Sequence, residues 1–174
     1  MKRVVLSLIF AVLAIQLAGQ PEKIFENRKA GLAFCATSQW QQVNTSDDKV
    51  LELVNPNGNL HVRLWADQTK LGAVQYLEKQ FNSEGVSVFK GPFEIEINNY
   101  RATAIIGSCA ERLTPRKVML MAVEKTDGFW IIQFKCPEEC FREHELQLKE
   151  LINAVVLLNN NDGFSYLSAQ RRPS

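Results

Sequence analysis

The residues of this 174-residue chain best able to do chemistry beyond packing are four cysteines, two histidines and a few charged or aromatic side chains set near them. The run Cys136-Pro-Glu-Glu-Cys140 followed by His144 places three soft ligands at i, i+4 and i+8, on one drifting face of a helix. These three are weak candidates for a metal site. Cys136 precedes the helix, and spacing marks out no residue to act as fourth ligand. His144 also lies beside Phe141 and Leu148, which reads more simply as a packing histidine. No cofactor is expected.

Four cysteines allow three disulfide pairings, and an even number in an exported chain favours bridges. Cys136 and Cys140 stand about one helical turn apart, within reach of one another, which would leave Cys35 to pair with Cys109 from strand to strand. Alternatively Cys35 or Cys109 bridges the start of the helix to the sheet, or the thiols stay free as small core residues. A Cys-x-x-Cys motif is missing, so dithiol redox chemistry has no support.

His61, Arg63 and Trp65 alternate along one strand face. A hydrolase built on His61 would need a nucleophile and an orienting acid beside it, and no G-x-S-x-G elbow supplies them. The plain reading is a solvated or helix-covered face with Arg63 stacked on Trp65. Because Trp and Arg are favoured interface anchors, the row is also the candidate interaction surface. Glu94 and Glu96 alternate on a strand and read as a solvated face. There is no glycine loop of the kind that cradles phosphate, and no catalytic residue is assigned.

These side chains must be positioned by a meander of strands. Gly31 to Ala36 is a short apolar strand, with Trp40 following a turn at Thr37-Ser38. Lys49 to Val54 and Leu60 to Ala66 alternate about Asn55-Pro56-Asn57-Gly58-Asn59, a turn rich in residues tolerant of positive φ, and form a hairpin. Asp67 is placed to cap a helix from about Gln68 to Ser83, with a stripe of Leu71, Val74, Leu77 and Phe81 and a stop at Gly85. Val86 to Lys90 is a short strand broken by Gly91-Pro92, and Phe93 to Ile97 follows. Asn98-Asn99 turns into a long strand, Tyr100 to Glu111. After Leu113-Thr114-Pro115, Lys117 to Lys125 runs to a tight turn at Asp127-Gly128, and Phe129 to Cys136 closes the meander. Pro137-Glu138-Glu139 opens a second helix that ends near Leu158; proline and acidic residues suit a first turn. The class is α+β: a single antiparallel sheet of six to seven strands with two main helices.

The ends and the composition bound the setting. Lys2 and Arg3 precede an apolar run from Val4 to Ala14 and the small residues Ala18 and Gly19, the layout of a secretory signal peptide cut after Gly19. The alternative is an uncleaved N-terminal anchor. Residues 1–19 are thus a leader, 20–30 an approach segment expected to be irregular or a short helical turn, 31–158 the domain and 159–174 a loosely attached tail. A hydrophobic content of 46% supports a real core. The chain's 20 basic residues, less Lys2 and Arg3, set against 19 acidic ones leave a net charge near −1, which gives no reason to expect nucleic acid or anionic membrane as partner. The expected product is a secreted or periplasmic monomer with no stable membrane insertion once the leader is removed.

The order of elements, with Phe25 before Gly31-Leu32-Ala33-Phe34, Trp40, and the strand Trp130-Ile131-Ile132-Gln133-Phe134 running into Pro137-Glu138-Glu139, resembles the PsbP-like fold. That family includes photosystem II PsbP, a Ran-binding import factor and bacterial periplasmic proteins of the DcrB type. The resemblance covers about Phe25 to Leu158 and rests on hydrophobic and turn positions. It implies a non-enzymatic binding or assembly module of the envelope, acting on an envelope protein of unknown identity. The metal role of PsbP rests on particular histidines, and no matching set can be placed here. A small-ligand or metal carrier and an envelope hydrolase without a recognisable motif are the alternatives.

Overall fold

A computed structural model describes residues 22–158 except Arg112, with backbone only for 142–149. The expected leader and tail lie outside the described residues. Among those described, the elements are β1 (Glu22–Asn27), β2 (Leu32–Thr37), β3 (Gln41–Val43), β4 (Leu51–Val54), β5 (His61–Gln68), α1 (Ala73–Ser83), β6 (Ser87–Ile97), β7 (Tyr100–Glu111), β8 (Thr114–Lys125), β9 (Gly128–Pro137), α2 (Glu138–Ala154) and β10 (Val155–Leu157). No helix among them is long and apolar enough to cross a membrane.

The expected single sheet is in fact two. A seven-stranded sheet runs β3-β4-β5-β9-β8-β7-β6, and a separate three-stranded sheet runs β1-β2-β10. All of their described pairings are antiparallel. Two features hidden in the sequence account for the small sheet. The approach segment is strand β1 because Phe25 and Asn27 face inward while Glu22 and Lys23 stay out, so its polar composition concealed a one-faced strand. At the other end, α2 stops at Ala154 and not near Leu158. Val155 and Val156 are stiff, β-branched residues that pair with Phe34 and Ala33 of β2.

The large sheet separates two cores. On one face Leu51, Leu53, Val62, Leu64, Met121, Ile132 and Phe134 pack against Phe25, Leu32 and Phe34 of the small sheet, with Phe141, Leu151 and Ile152 of α2 beside them. On the other face Ile105, Leu120, Phe129 and Ile131 pack against Tyr76, Leu77 and Phe81 of α1. Every residue of β8 from Lys117 to Val123 is buried, which explains the unbroken apolar run in a strand covered on both sides.

The α1 helix is shorter than its apolar spacing predicts. Strand β5 stays paired with β9 as far as Gln68 opposite Gly128, so Asp67 lies in the strand and caps nothing. Its carboxylate instead accepts from the Tyr76 hydroxyl at 2.9 Å. Leu71 and Val74, expected in the buried stripe, are exposed, and Tyr76 takes the inward place. The two strands expected around Gly91-Pro92 are one irregular strand, β6, whose register against β7 shifts on either side of Lys90. The Asn98-Asn99 turn has positive φ at both residues, as its composition requires.

Two glycines allow close approaches between layers. Gly31, at φ +68°, accepts the Leu158 amide at 2.8 Å, and a Cβ there would stand 2.9 Å from the Leu158 carbonyl oxygen. Beside it the buried Trp130 indole donates to the Ala30 carbonyl at 3.0 Å, tying the large sheet to the small one. Gly107 lies under α1, where a Cβ would meet Val86 at 2.4 Å, Phe81 at 2.6 Å and the Ser87 carbonyl oxygen at 2.8 Å. Gly107→Ala is expected to destabilise by about 1–3 kcal/mol through overpacking. Trp130→Phe is expected to lose about 1–3 kcal/mol by leaving the Ala30 carbonyl without its donor. Urea unfolding checks both; midpoints equal to the parent's would contradict this account of the layers.

Candidate functional site

The expected row His61, Arg63 and Trp65 lies on the α1 side of the large sheet, and strand pairing sets it beside residues that sequence spacing did not single out. His61 is opposite Lys135, Arg63 opposite Gln133 and Glu52, and Trp65 opposite Ile131. Across β8, Arg116 is opposite Cys109 of β7. The side chains on this face change from apolar to charged along the strands. An 11-residue helix reaches only about 16 Å, whereas the 12-residue strand β8 runs about 40 Å, so α1 covers part of the face and ends at Glu84.

Where the helix ends, the polar groups interlock. The buried Gln133 side chain donates to Glu84 Oε2 at 2.9 Å and accepts from Arg63 Nη1 at 3.4 Å. Arg63 pairs with Glu52 at 3.5 Å and Glu84 at 3.7 Å, with its guanidinium 5.5 Å from the Trp65 ring. His61 Nδ1 is 3.7 Å from Glu52. Further along, Glu111 Oε2 accepts from Lys135 Nζ at 2.9 Å and faces Arg116 Nε at 3.4 Å. Trp65 is tied in place, packed against the α1 core with the Tyr76 hydroxyl beside it, while burial raises the Tyr76 pKa. His61 and Arg63 are the more open members, about a third exposed. The chemistry available here is recognition: charged donors and acceptors held by strands, with an arginine over an aromatic ring.

The cysteines are distributed differently from the expectation. All four are free thiols. Cys35 lies on β2 of the small sheet, whereas Cys109 packs against the α1 core on the far side of the large sheet. The large sheet stands between them, so the structure does not bring Cys35 and Cys109 together as a pair. Cys136 and Cys140 are neighbours: Cys136 is buried with its pKa pushed up to about 11, mainly by burial and then by Cys140, and Asn59 donates to Cys140 Sγ at 3.6 Å. Burial and nearby Glu22 raise the Cys35 pKa. His144 lies within α2, and its side chain is outside the described set. Among the described residues no three His, Cys, Asp or Glu side chains gather as metal ligands.

Two measurements check these electrostatics. The Glu111 carboxyl is held below the ordinary range, first by the Lys135 hydrogen bond and charge and then by Arg116. A lowered carboxylate pKa stabilises the fold above its unfolded value, and that contribution is lost as pH falls through the folded one. Exposure keeps it small. In Lys135→Ala the NMR titration midpoint of Glu111 should rise; an unmoved midpoint would refute the pairing. With a pKa near 11, about one Cys136 thiol in a thousand is ionised at pH 8. Alkylation of the folded protein should therefore spare Cys136 and proceed only after unfolding; rapid native labelling would contradict the packing.

No family model and no curated protein matches the chain. Solved structures do. The solution structure of cyanobacterial PsbP (CyanoP) from Synechocystis sp. PCC 6803 aligns with a TM-score of 0.59 at 7% identity, over 80% of this chain and 94% of that one. LpqN of Mycobacterium tuberculosis, described as involved in cell envelope biogenesis, aligns at 0.52 and 9% identity, over 80% and 91%. A crystallised protein of Bacteroides thetaiotaomicron VPI-5482 aligns at 0.54 and 14% identity over 82% of this chain, which spans only 49% of that protein. At such identities the likeness is one of fold, and the chain has the PsbP-like fold.

Proposed function

We propose that this chain is an exported, non-enzymatic binding or assembly module of the cell envelope. Its recognition surface is the charged end of the large sheet that α1 leaves open, centred on His61 and Arg63. The observation that carries this reading is the network itself: Glu52, Arg63 and Glu84 are locked together around the buried Gln133 by strand pairing and a helix end, yet stay partly open to solvent themselves. A rigid, half-buried cluster of charge beside Trp65 suits selective contact with another protein, because its groups are already oriented before contact. The leader-like N-terminus and the description of LpqN, a protein of similar fold, support an envelope setting.

Two hollows lined by described residues fit catalysis or carriage less well. A cleft of about 690 Å³ beside the β8–β9 turn is open and lined by Gln68, Lys70, Leu71, Lys125 and Asp127. A smaller one of about 300 Å³ between β1 and β4 is lined by charged surface residues such as Glu26, Lys29 and Asp48. Neither is the enclosed, mostly apolar cavity that small ligands favour.

Cross-linking in cells followed by pull-down of the tagged protein from its native envelope tests the reading. One reproducible, stoichiometric partner is expected, and Arg63→Gln should lower its recovery at least several-fold while the circular dichroism spectrum is kept. A clean monomer with no partner would overturn it.

A further inference from the structure

The open end of the large sheet has two halves of opposite character. In one, the cation Arg63 stands between two carboxylates, Glu52 and Glu84. In the other, the carboxylate Glu111 stands between two cations, Lys135 and Arg116, with His61 opposite Lys135 on the neighbouring strand. Glu111 therefore serves two positive charges with a single oxygen: Oε2 takes the Lys135 hydrogen bond and leaves Arg116 only an ion pair at 3.4 Å. The Arg116 side chain is mostly buried, and its Nε and Nη1 have no hydrogen-bond partner among the described residues. A guanidinium offers its donors along two planar edges, so a second carboxylate would meet Nε together with Nη2, or Nη1 together with Nη2, in two parallel bonds. Glu111, by contrast, is about half exposed at the end of β7, where its ion pairs among the described residues are those to Lys135 and Arg116. Cys109, across from Arg116, brings no charge that would meet the fork.

We propose that Arg116 and Lys135, flanked by His61, form a carboxylate-binding subsite that receives an acidic side chain of a partner polypeptide, with Glu111 occupying that place until it is displaced. The inference rests on the recognition surface proposed above and gives it a partner chemistry. The partner contributes an Asp or Glu to the Arg116 half, and the excess of negative charge around Arg63 steers a basic residue of the same partner to the other half. Glu111 acts as an internal competitor, so its removal strengthens binding, whereas removal of either cation weakens it. A merely structural ion pair predicts neither effect.

The test titrates the leader-free protein with a hexaglutamate peptide and, separately, with inorganic phosphate, following the Arg116 Nε–Hε signal by NMR. The peptide should move that signal saturably. Glu111→Gln should tighten binding several-fold, and Arg116→Gln and Lys135→Gln should each weaken it about tenfold, while Glu94→Gln on the exposed edge strand leaves it unchanged. Lys135→Gln keeps the test decisive should Arg116→Gln fail to fold. An unmoved Arg116 signal, binding indifferent to Lys135→Gln, or phosphate binding as tightly as the peptide would each overturn the subsite. The two proposals fail separately. A captured envelope partner retained by Lys135→Gln and Arg116→Gln removes the subsite and leaves the module. Peptide binding without any captured partner removes the module and leaves the subsite.

Discussion

The constraint from which the rest of the structure follows is that the central strands of the large sheet are apolar on both faces. Lys117 to Val123 and Phe129 to Phe134 are buried throughout, so neither face of β8 or β9 can be left to water over that length. Each fully buried Leu, Ile or Phe contributes about 1.5–3 kcal/mol relative to exposure, enough to require a cover on each side. One cover is α1. The other is assembled from both ends of the described chain, β1 and β10 clasping β2, with α2 alongside. The Trp130 indole reaches through this second interface to Ala30, where Gly31 lets the chain pass close to Leu158.

The charged surface is the other side of the same constraint. Beyond Glu84 no helix among the described residues lies over this face of the sheet, and the alternation of β5, β8 and β9 changes there from Trp65, Leu120 and Ile131 to His61, Arg116 and Lys135. Burying charge is tolerable only where partners are at hand, and the network supplies them almost completely. Arg63 and Gln133 also fasten the end of α1 to the sheet, so stability and the proposed recognition draw on the same side chains. Arg116, with both Nε and Nη1 lacking a hydrogen-bond partner among the described residues, is the member served least, and Arg63 lacks one at Nε.

Much of the meander was legible in the sequence because its turns are chemically explicit. Asn55 to Asn59 sits between alternating runs, Asn98-Asn99 follows one and the Asp127 turn separates two unbroken apolar runs; the hairpins follow. The small sheet was not legible. Strand β1 shows only alternate apolar positions among charges, β3 is three exposed residues, and β10 continues the apolar stripe of the helix before it. The sequence suggests a longer α1 because Leu71 and Val74 continue the helical spacing of Leu77 and Phe81, while tertiary pairing to β9 holds the chain extended up to Gln68 and Gly72 caps the helix. At the candidate site, His61, Arg63 and Trp65 could be read from alternation within one strand. Glu52 faces Arg63 across the hairpin that the turn residues mark, whereas Gln133, Lys135, Glu111 and Arg116 reach the row only through strand order, which places β9 beside β5 and was not recoverable from spacing.

The central claim is that a partner docks on the open end of the large sheet. A photoreactive amino acid in place of Val54, which is paired with His61, and in a second variant in place of Lys23 on β1, tests it directly in cells. The account predicts a specific cross-linked species from position 54 and none from position 23. The same species from position 23 with none from position 54 would contradict it.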